Sequence, residues 1–178
     1  MAHIPVNHHL RPLYRTLAVI AGFYVLIFGI VGVARTGGLD FFAQEGTPEV
    51  LGIRANRAFA LLSVVAGVVI VACNIIGRNV DHWANLIGGI VFLAAGMAMM
   101  TLLQTNANFL GFTLTTCVVS FVIGLVLFTA GLYGKSGSDQ EAALEERFRH
   151  GAPDPAEHAW RFRGGPKPTT QTEDHRFA

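Results

Sequence analysis

Charge is what this chain has least of, and its distribution is more informative than its amount. Charged residues make up 14% of the 178 residues, against about 25% in soluble domains. They cluster in the first 15 residues, in 35–57, around 78–82 and after 134. Between those clusters lie four long apolar stretches whose interiors hold no Asp, Glu, Lys or Arg. Ionisable side chains at membrane depth are the usual mark of ion pathways and proton relays. Their absence argues against an ion- or proton-coupled transporter and leaves open a path for a neutral solute or a lipid.

Cysteine is scarce as well. Cys73 and Cys117 are too few for a disulfide framework. They fall at opposite ends of their apolar runs and read as small packing residues. Basic residues are not concentrated: the 13 Lys and Arg are scattered, the net charge is +1, and nucleic acid is not an expected partner. Motifs for nucleophilic catalysis, phosphate binding and structural zinc are missing, as are a glycosylation sequon and a lipidation signal. Ser63 and Ser120 have no base near them in the sequence. No enzymatic activity is expected.

What is present is apolar length. The mean hydropathy is +0.46, and 52% of residues are hydrophobic. A membrane-crossing helix needs about 20 consecutive apolar residues. Four stretches qualify, at about 16–34, 57–76, 82–103 and 109–133. The first is longer than a signal-peptide core and has no small-residue cleavage site behind it, so it reads as an uncleaved span. The expected fold is all-α: an integral membrane four-helix bundle over residues 1–134, followed by a cytoplasmic tail, 135–178.

Local signals mark the boundaries. Pro12 suits the first turn of a helix, and Asn56 suits the cap of the second span. Gly134 suits the end of the fourth. The loop 35–55 is punctuated by Gly37, Gly38, Gly46 and Pro48. Leu39, Phe41, Phe42, Val50, Leu51 and Ile53 make it too apolar for a bare linker, so it folds back onto the helix ends or lies among headgroups. Ser138 and Glu141 have capping-box spacing, which predicts a short amphipathic helix over 139–150. A proline-containing, flexible stretch follows it.

Lys and Arg favour the cytoplasmic side of a membrane protein. Arg11, Arg15, Arg78, Lys135, Arg147 and Arg149 share one side of a four-span topology, and Arg35, Arg54 and Arg57 share the other. Both termini are therefore expected in the cytoplasm of a multi-pass cell-membrane (inner-membrane) protein.

Small residues recur at packing intervals. Gly22 and Gly29 in the first span match Gly89 and Gly96 in the third. Ser63 and Gly67 in the second match Ser120 and Gly124 in the fourth. Small residues let helix backbones approach closely in lipid. The pattern suggests two hairpins related by an approximate twofold along the membrane normal, with the first loop about ten residues longer than the third. The alternative is that Gly, Ala and Ser are simply common in such helices.

The polar cluster Asp81, His82, Trp83 and Asn85, with Asn74, has two readings. One is a contact for a headgroup, a quinone, a metal or a partner at the cytoplasmic face. The other, favoured here, has Asp81 capping the third span, Trp83 in the aromatic belt, and Asn74 hydrogen-bonding Asn85 between helices. Haem is not expected, because His82 is the sole histidine in or near a span and membrane b-type haems need two. Neither cofactor nor metal is expected. On the opposite side, Asn56, Gln104, Asn106 and Asn108 form a polar rim, read as ordinary loop polarity. In the tail, Trp160, Arg161, Phe162 and Arg163 mix aromatic and basic residues that suit docking on a partner or on anionic lipid.

Residues 54–134 resemble a family of small actinobacterial four-span membrane proteins catalogued as a domain of unknown function. The resemblance rests on N-R-A-F at 56–59, N-V-D-H-W-A-N-L at 79–86, G-M-A at 96–98 and L-L-Q-T-N-A-N-F at 102–109, with N-H-H-L-R-P-L-Y-R at 7–15. It implies an actinobacterial cell membrane and brings no activity. The DoxX-like four-span proteins are a looser resemblance, which implies association with redox complexes. The expected role is an accessory or scaffolding subunit among other membrane proteins, or a homo-oligomer, embedded in membrane lipids. The alternatives are a lipid or quinone carrier at the cytoplasmic face and a small oligomeric pore.

Overall fold

In the computed structural model, which describes residues 9–138, the chain forms four helices: α1 (Arg11–Arg35), α2 (Arg57–Ile76), α3 (Val80–Leu102) and α4 (Leu114–Tyr133). All four are long and apolar enough to cross a membrane. The expected helix at 139–150 and the aromatic-basic segment Trp160, Arg161, Phe162 and Arg163 lie outside the described residues. The ends of the bundle are called here the terminal end, which carries Arg11 and Tyr133, and the loop end, which carries Arg35 and Arg57.

Each helix start has a local cause. Pro12 stands in the first turn of α1, as its position suggests, and the helix begins at Arg11, ahead of the apolar span that starts near Thr16. Asn56 caps α2, its side chain accepting from Phe59 N. Thr113 caps α4 in a reciprocal box with Thr116. That box corrects the expected start of the fourth span. Residues 109–113 are apolar enough to read as helix, but Gly111 takes φ +66° and Thr113 starts the helix at Leu114. Phe112, outside the helix, turns into the core instead. The turn between α2 and α3 is tight, with Gly77, Arg78 and Asn79 all at positive φ. Asn79 tolerates this better than most residues. Its side chain also bridges to Ser136, donating to its carbonyl at 2.7 Å and accepting from its N–H at 2.6 Å.

The long first loop contains an element absent from the sequence reading, an antiparallel ladder of β1 (Glu49–Val50) and β2 (Ile53–Arg54). Leu51 and Gly52, both at positive φ, make its turn. Val50, Ile53 and Ala55 are buried with Phe28 of α1. Of the two expected placements, this part of the loop folds back onto the bundle.

Packing is by hairpins, α1 with α2 and α3 with α4, and glycine sets the close approach. A methyl group on Gly67 would lie 2.6 Å from the main chain of Leu26, and one on Gly89 would lie 2.5 Å from Phe128 N. The hairpins match in detail. One constant shift carries Gly22, Leu26 and Gly29 onto Gly89, Leu93 and Gly96. A second carries Val64, Gly67 and Val71 onto Phe121, Gly124 and Phe128. Gly22 faces Val71 as Gly89 faces Phe128, and Gly29 faces Val64 as Gly96 faces Phe121. Gly67 faces Leu26 as Gly124 faces Leu93. The second shift also carries the cap Asn56 onto the cap Thr113. Six independent positions fall into register, more than an abundance of small residues accounts for. These glycines are buried within hairpins, so they are taken up by the chain's own packing.

Candidate functional site

Two places could carry function: the polar cluster at the terminal end and a cavity toward the loop end.

At the terminal end, Asn74 of α2 and Asn85 of α3 exchange two amide hydrogen bonds, of 2.8 and 2.9 Å, and both are buried. Asn74 also donates to Ile70 O at 2.8 Å. His82 is 3% exposed, and its Nδ1 lies 2.6 Å from Gly131 O. A carbonyl only accepts, so Nδ1 carries the proton. Arg15 donates to Asn74 O at 2.7 Å and to Ile75 O at 3.0 Å, covering the C-terminal carbonyls of α2. Arg11 joins three helices: it donates to Gly134 O at 2.8 Å and pairs with Asp81 at 3.2 Å. Tyr14 stacks on Tyr133 at 5.2 Å.

The repeat runs through this cluster. The shift that carries Gly22 onto Gly89 carries Arg15 onto His82. The shift that carries Gly67 onto Gly124 carries Asn74 onto Gly131. Arg15 thus bonds Asn74 O as His82 bonds Gly131 O. The places equivalent to Asn85 and Asn74 are held by Ala18 and Gly131, so the amide pair breaks the repeat.

The sequence-derived residues distribute as follows. Asn74, Asn85, His82 and Asp81 come together. Trp83 does not: it is 59% exposed on the bundle's outer face, where an aromatic-belt residue belongs. Among the described residues its ring neighbour is His82, edge-on at 5.1 Å. Asp81 does not cap α3 with its side chain, which corrects the favoured reading. It sits in the first turn, where the helix dipole favours its charge. Its Oδ2 takes Arg11 and its Oδ1 has no partner among the described residues. Arg11 and Arg15 were read only as flanking charge. The available signal was an opposite charge at the same end of the bundle.

Of the polar rim at the loop end, Asn56 and Asn108 are likewise turned inward, while Gln104 and Asn106 are exposed. Asn56 donates to Phe109 O at 2.9 Å, and Asn108 bonds both the carbonyl and the N–H of Phe112.

The second place is a cavity of about 160 Å³ between the hairpins. Its walls follow the repeat. Tyr24, Val25 and Phe28 of α1 map onto Val91, Phe92 and Ala95 of α3. Phe59, Leu62, Ser63 and Ala66 of α2 map onto Thr116, Val119, Ser120 and Ile123 of α4. Equivalent residues of the two hairpins thus face one space. Ile53 and Phe112 complete the wall. Ser63 and Ser120, expected as packing residues beside Gly67 and Gly124, are cavity residues.

The fold and these two places define a class, a four-span membrane bundle of two matching hairpins. Beyond that class, no family model, no curated protein and no solved structure matches the chain.

Proposed function

We propose that this chain is a non-enzymatic integral membrane protein serving as an accessory or scaffolding subunit of a larger membrane assembly, or of a homo-oligomer. It sits in a cell membrane with both termini cytoplasmic. The observation that carries this is an exposed aromatic patch at the loop end. Phe41, Phe42 and Phe109 lie outside the helices and pack edge-on, with centroids 4.8 and 5.8 Å apart. Each is about half exposed, as is Leu51 nearby. Aromatic residues gathered on a surface mark contact with another chain or with the membrane interface, and we read this patch, built from two loops, as the former. The orientation rests on the bias of Lys and Arg, and the actinobacterial origin on the resemblance of residues 54–134.

A carrier mouth at the cytoplasmic face is less well supported, because the polar groups there bond one another across the bundle. A pore within one chain is disfavoured by the core of Ala18, Ile70, Leu127 and Ala130, which fills the terminal half. A pore would have to run between copies.

Native mass spectrometry of the full-length protein, extracted in mild detergent from its own host, tests the proposal. A particle heavier than the 19.2 kDa chain, at fixed stoichiometry, is expected. Replacing Phe41, Phe42 and Phe109 together by Ser should reduce it to the single chain. A wild-type monomer, or an assembly unaffected by the triple substitution, contradicts the proposal.

A further inference from the structure

We infer that the cavity between the hairpins is a lipid-chain site: it takes the distal end of one acyl chain of a bilayer lipid, entering sideways between α2 and α3.

The chemistry of the wall comes first. Three of its four hydroxyls are committed to the protein, and that of Ser120 has no partner among the described residues. Ser63 donates to Phe59 O at 2.8 Å, Tyr24 donates to Leu51 O at 3.3 Å, and Thr116 is bonded to Thr113. The rest of the wall is hydrocarbon or aromatic ring. A cavity of this kind stays dry and takes apolar guests. An engineered apolar cavity of about 150 Å³ binds benzene, so there is room here for about six carbons.

Access comes next. The two hairpins meet along two gaps, one between α1 and α4 and one between α2 and α3. The β1–β2 ladder sits at the first. Val50 and Ile53 are buried there, and Ile53 forms part of the wall. The ladder is part of the extra length of the first loop, which has no counterpart in the short third loop. Among the described residues the second gap has no such cover. Its lips, Leu62 and Val91, are 54% and 57% exposed. Their equivalents at the first gap, Val119 and Tyr24, are only partly exposed. Toward the loop end, Phe28, Phe59 and Phe112 close the top, with successive centroids 5.1 and 4.8 Å apart. Toward the terminal end, Ile70 and Leu127 close the bottom.

The remaining opening faces sideways, from the middle of the spans, where the surrounding medium is lipid chains. The ends of acyl chains lie at that depth. A headgroup would find no charge on the wall to hold it, so the site reads chain and ignores headgroup.

The test uses the full-length protein in nanodiscs of palmitoyl-oleoyl phosphatidylglycerol doped with an isoprenoid quinone, released into a native mass spectrometer. One phospholipid per chain is expected to survive activation that strips the rest, and changing the headgroup to choline should leave retention unchanged. Ala95→Phe fills the cavity and should lower retention about tenfold or more, a loss of about 1.4 kcal/mol or more. Ala94→Phe, on the exposed side of the same helix, should change nothing. Ala66→Phe fills the space from the opposite wall and substitutes if Ala95→Phe does not fold. Absence of a retained lipid in the wild type overturns the inference. So does retention of quinone in its place, loss on changing the headgroup, or equal retention by folded Ala95→Phe and Ala94→Phe.

Discussion

Gly89→Ala destabilises the bundle by about 3 kcal/mol, Gly67→Ala does the same, and Gly88→Ala leaves stability unchanged. The first two sit at the upper end of the overpacking range because the atoms met belong to the main chain, which has no rotamer to yield. The added methyl would lie 2.5 Å from Phe128 N in one case and 2.6 Å from Leu26 N and Cα in the other. At Gly88 the nearest atom is Leu127 Cδ1 at 3.7 Å, an ordinary contact. Neighbouring glycines on one helix thus give opposite outcomes, and glycines on different helices give the same one. Reversible unfolding in mixed micelles, followed by circular dichroism, measures all three. Equal loss at Gly88 and Gly89 would mean that close approach does not set the response, because helix propensity favours Ala over Gly at both positions.

Arg11→Met costs about 3–5 kcal/mol, the range for stranding one partner of a buried ion pair. Asp81 is 3% exposed in its side chain, and its second oxygen already lacks a partner among the described residues. Without Arg11 neither oxygen has one. Asp81→Leu costs less. The Arg11 side chain is 24% exposed, keeps Gly134 O at 2.8 Å and has access to water. The double variant Arg11→Met/Asp81→Leu recovers most of the single Arg11 loss, because no charge is left stranded. The same unfolding titration decides. Additive losses, or a greater loss for Asp81→Leu than for Arg11→Met, would show that the pair does not hold the terminal end as described.

How far the sequence disclosed this depends on whether a feature is local. The four spans were legible because uncharged length is a property of consecutive residues. The matching glycines were legible because a repeat is visible as spacing, although spacing alone does not show which helix each glycine faces. The start of α4 was not, since Phe109 to Phe112 are apolar like the helix they precede. The Thr113–Thr116 box was the signal that separates them. The Asn74–Asn85 bond was foreseen from two amides at one end of adjacent spans. Arg11 and Arg15 were seen as charges on a flank, and their targets, three of them carbonyls, leave no mark in a sequence. The cavity was illegible for the same reason. Its wall residues are spread over four helices, and what defines it is the space where the α2 and α3 side chains fall short.

The bundle is packed at the terminal end, closed by aromatic rings at the loop end and hollow between them. Nuclear Overhauser contacts between lipid methylenes and buried methyl groups, in nanodiscs of chain-protonated lipid, test it most directly. Val25 and Ile123 line the cavity at 5% and 7% exposure, and Ala18 and Leu127 lie in the packed half at 0%. The account predicts lipid-chain contacts at Val25 and Ile123 and none at Ala18 and Leu127. Contacts at neither pair would mean that the cavity is closed, and contacts at both would mean that the terminal half is not sealed. Either result contradicts it.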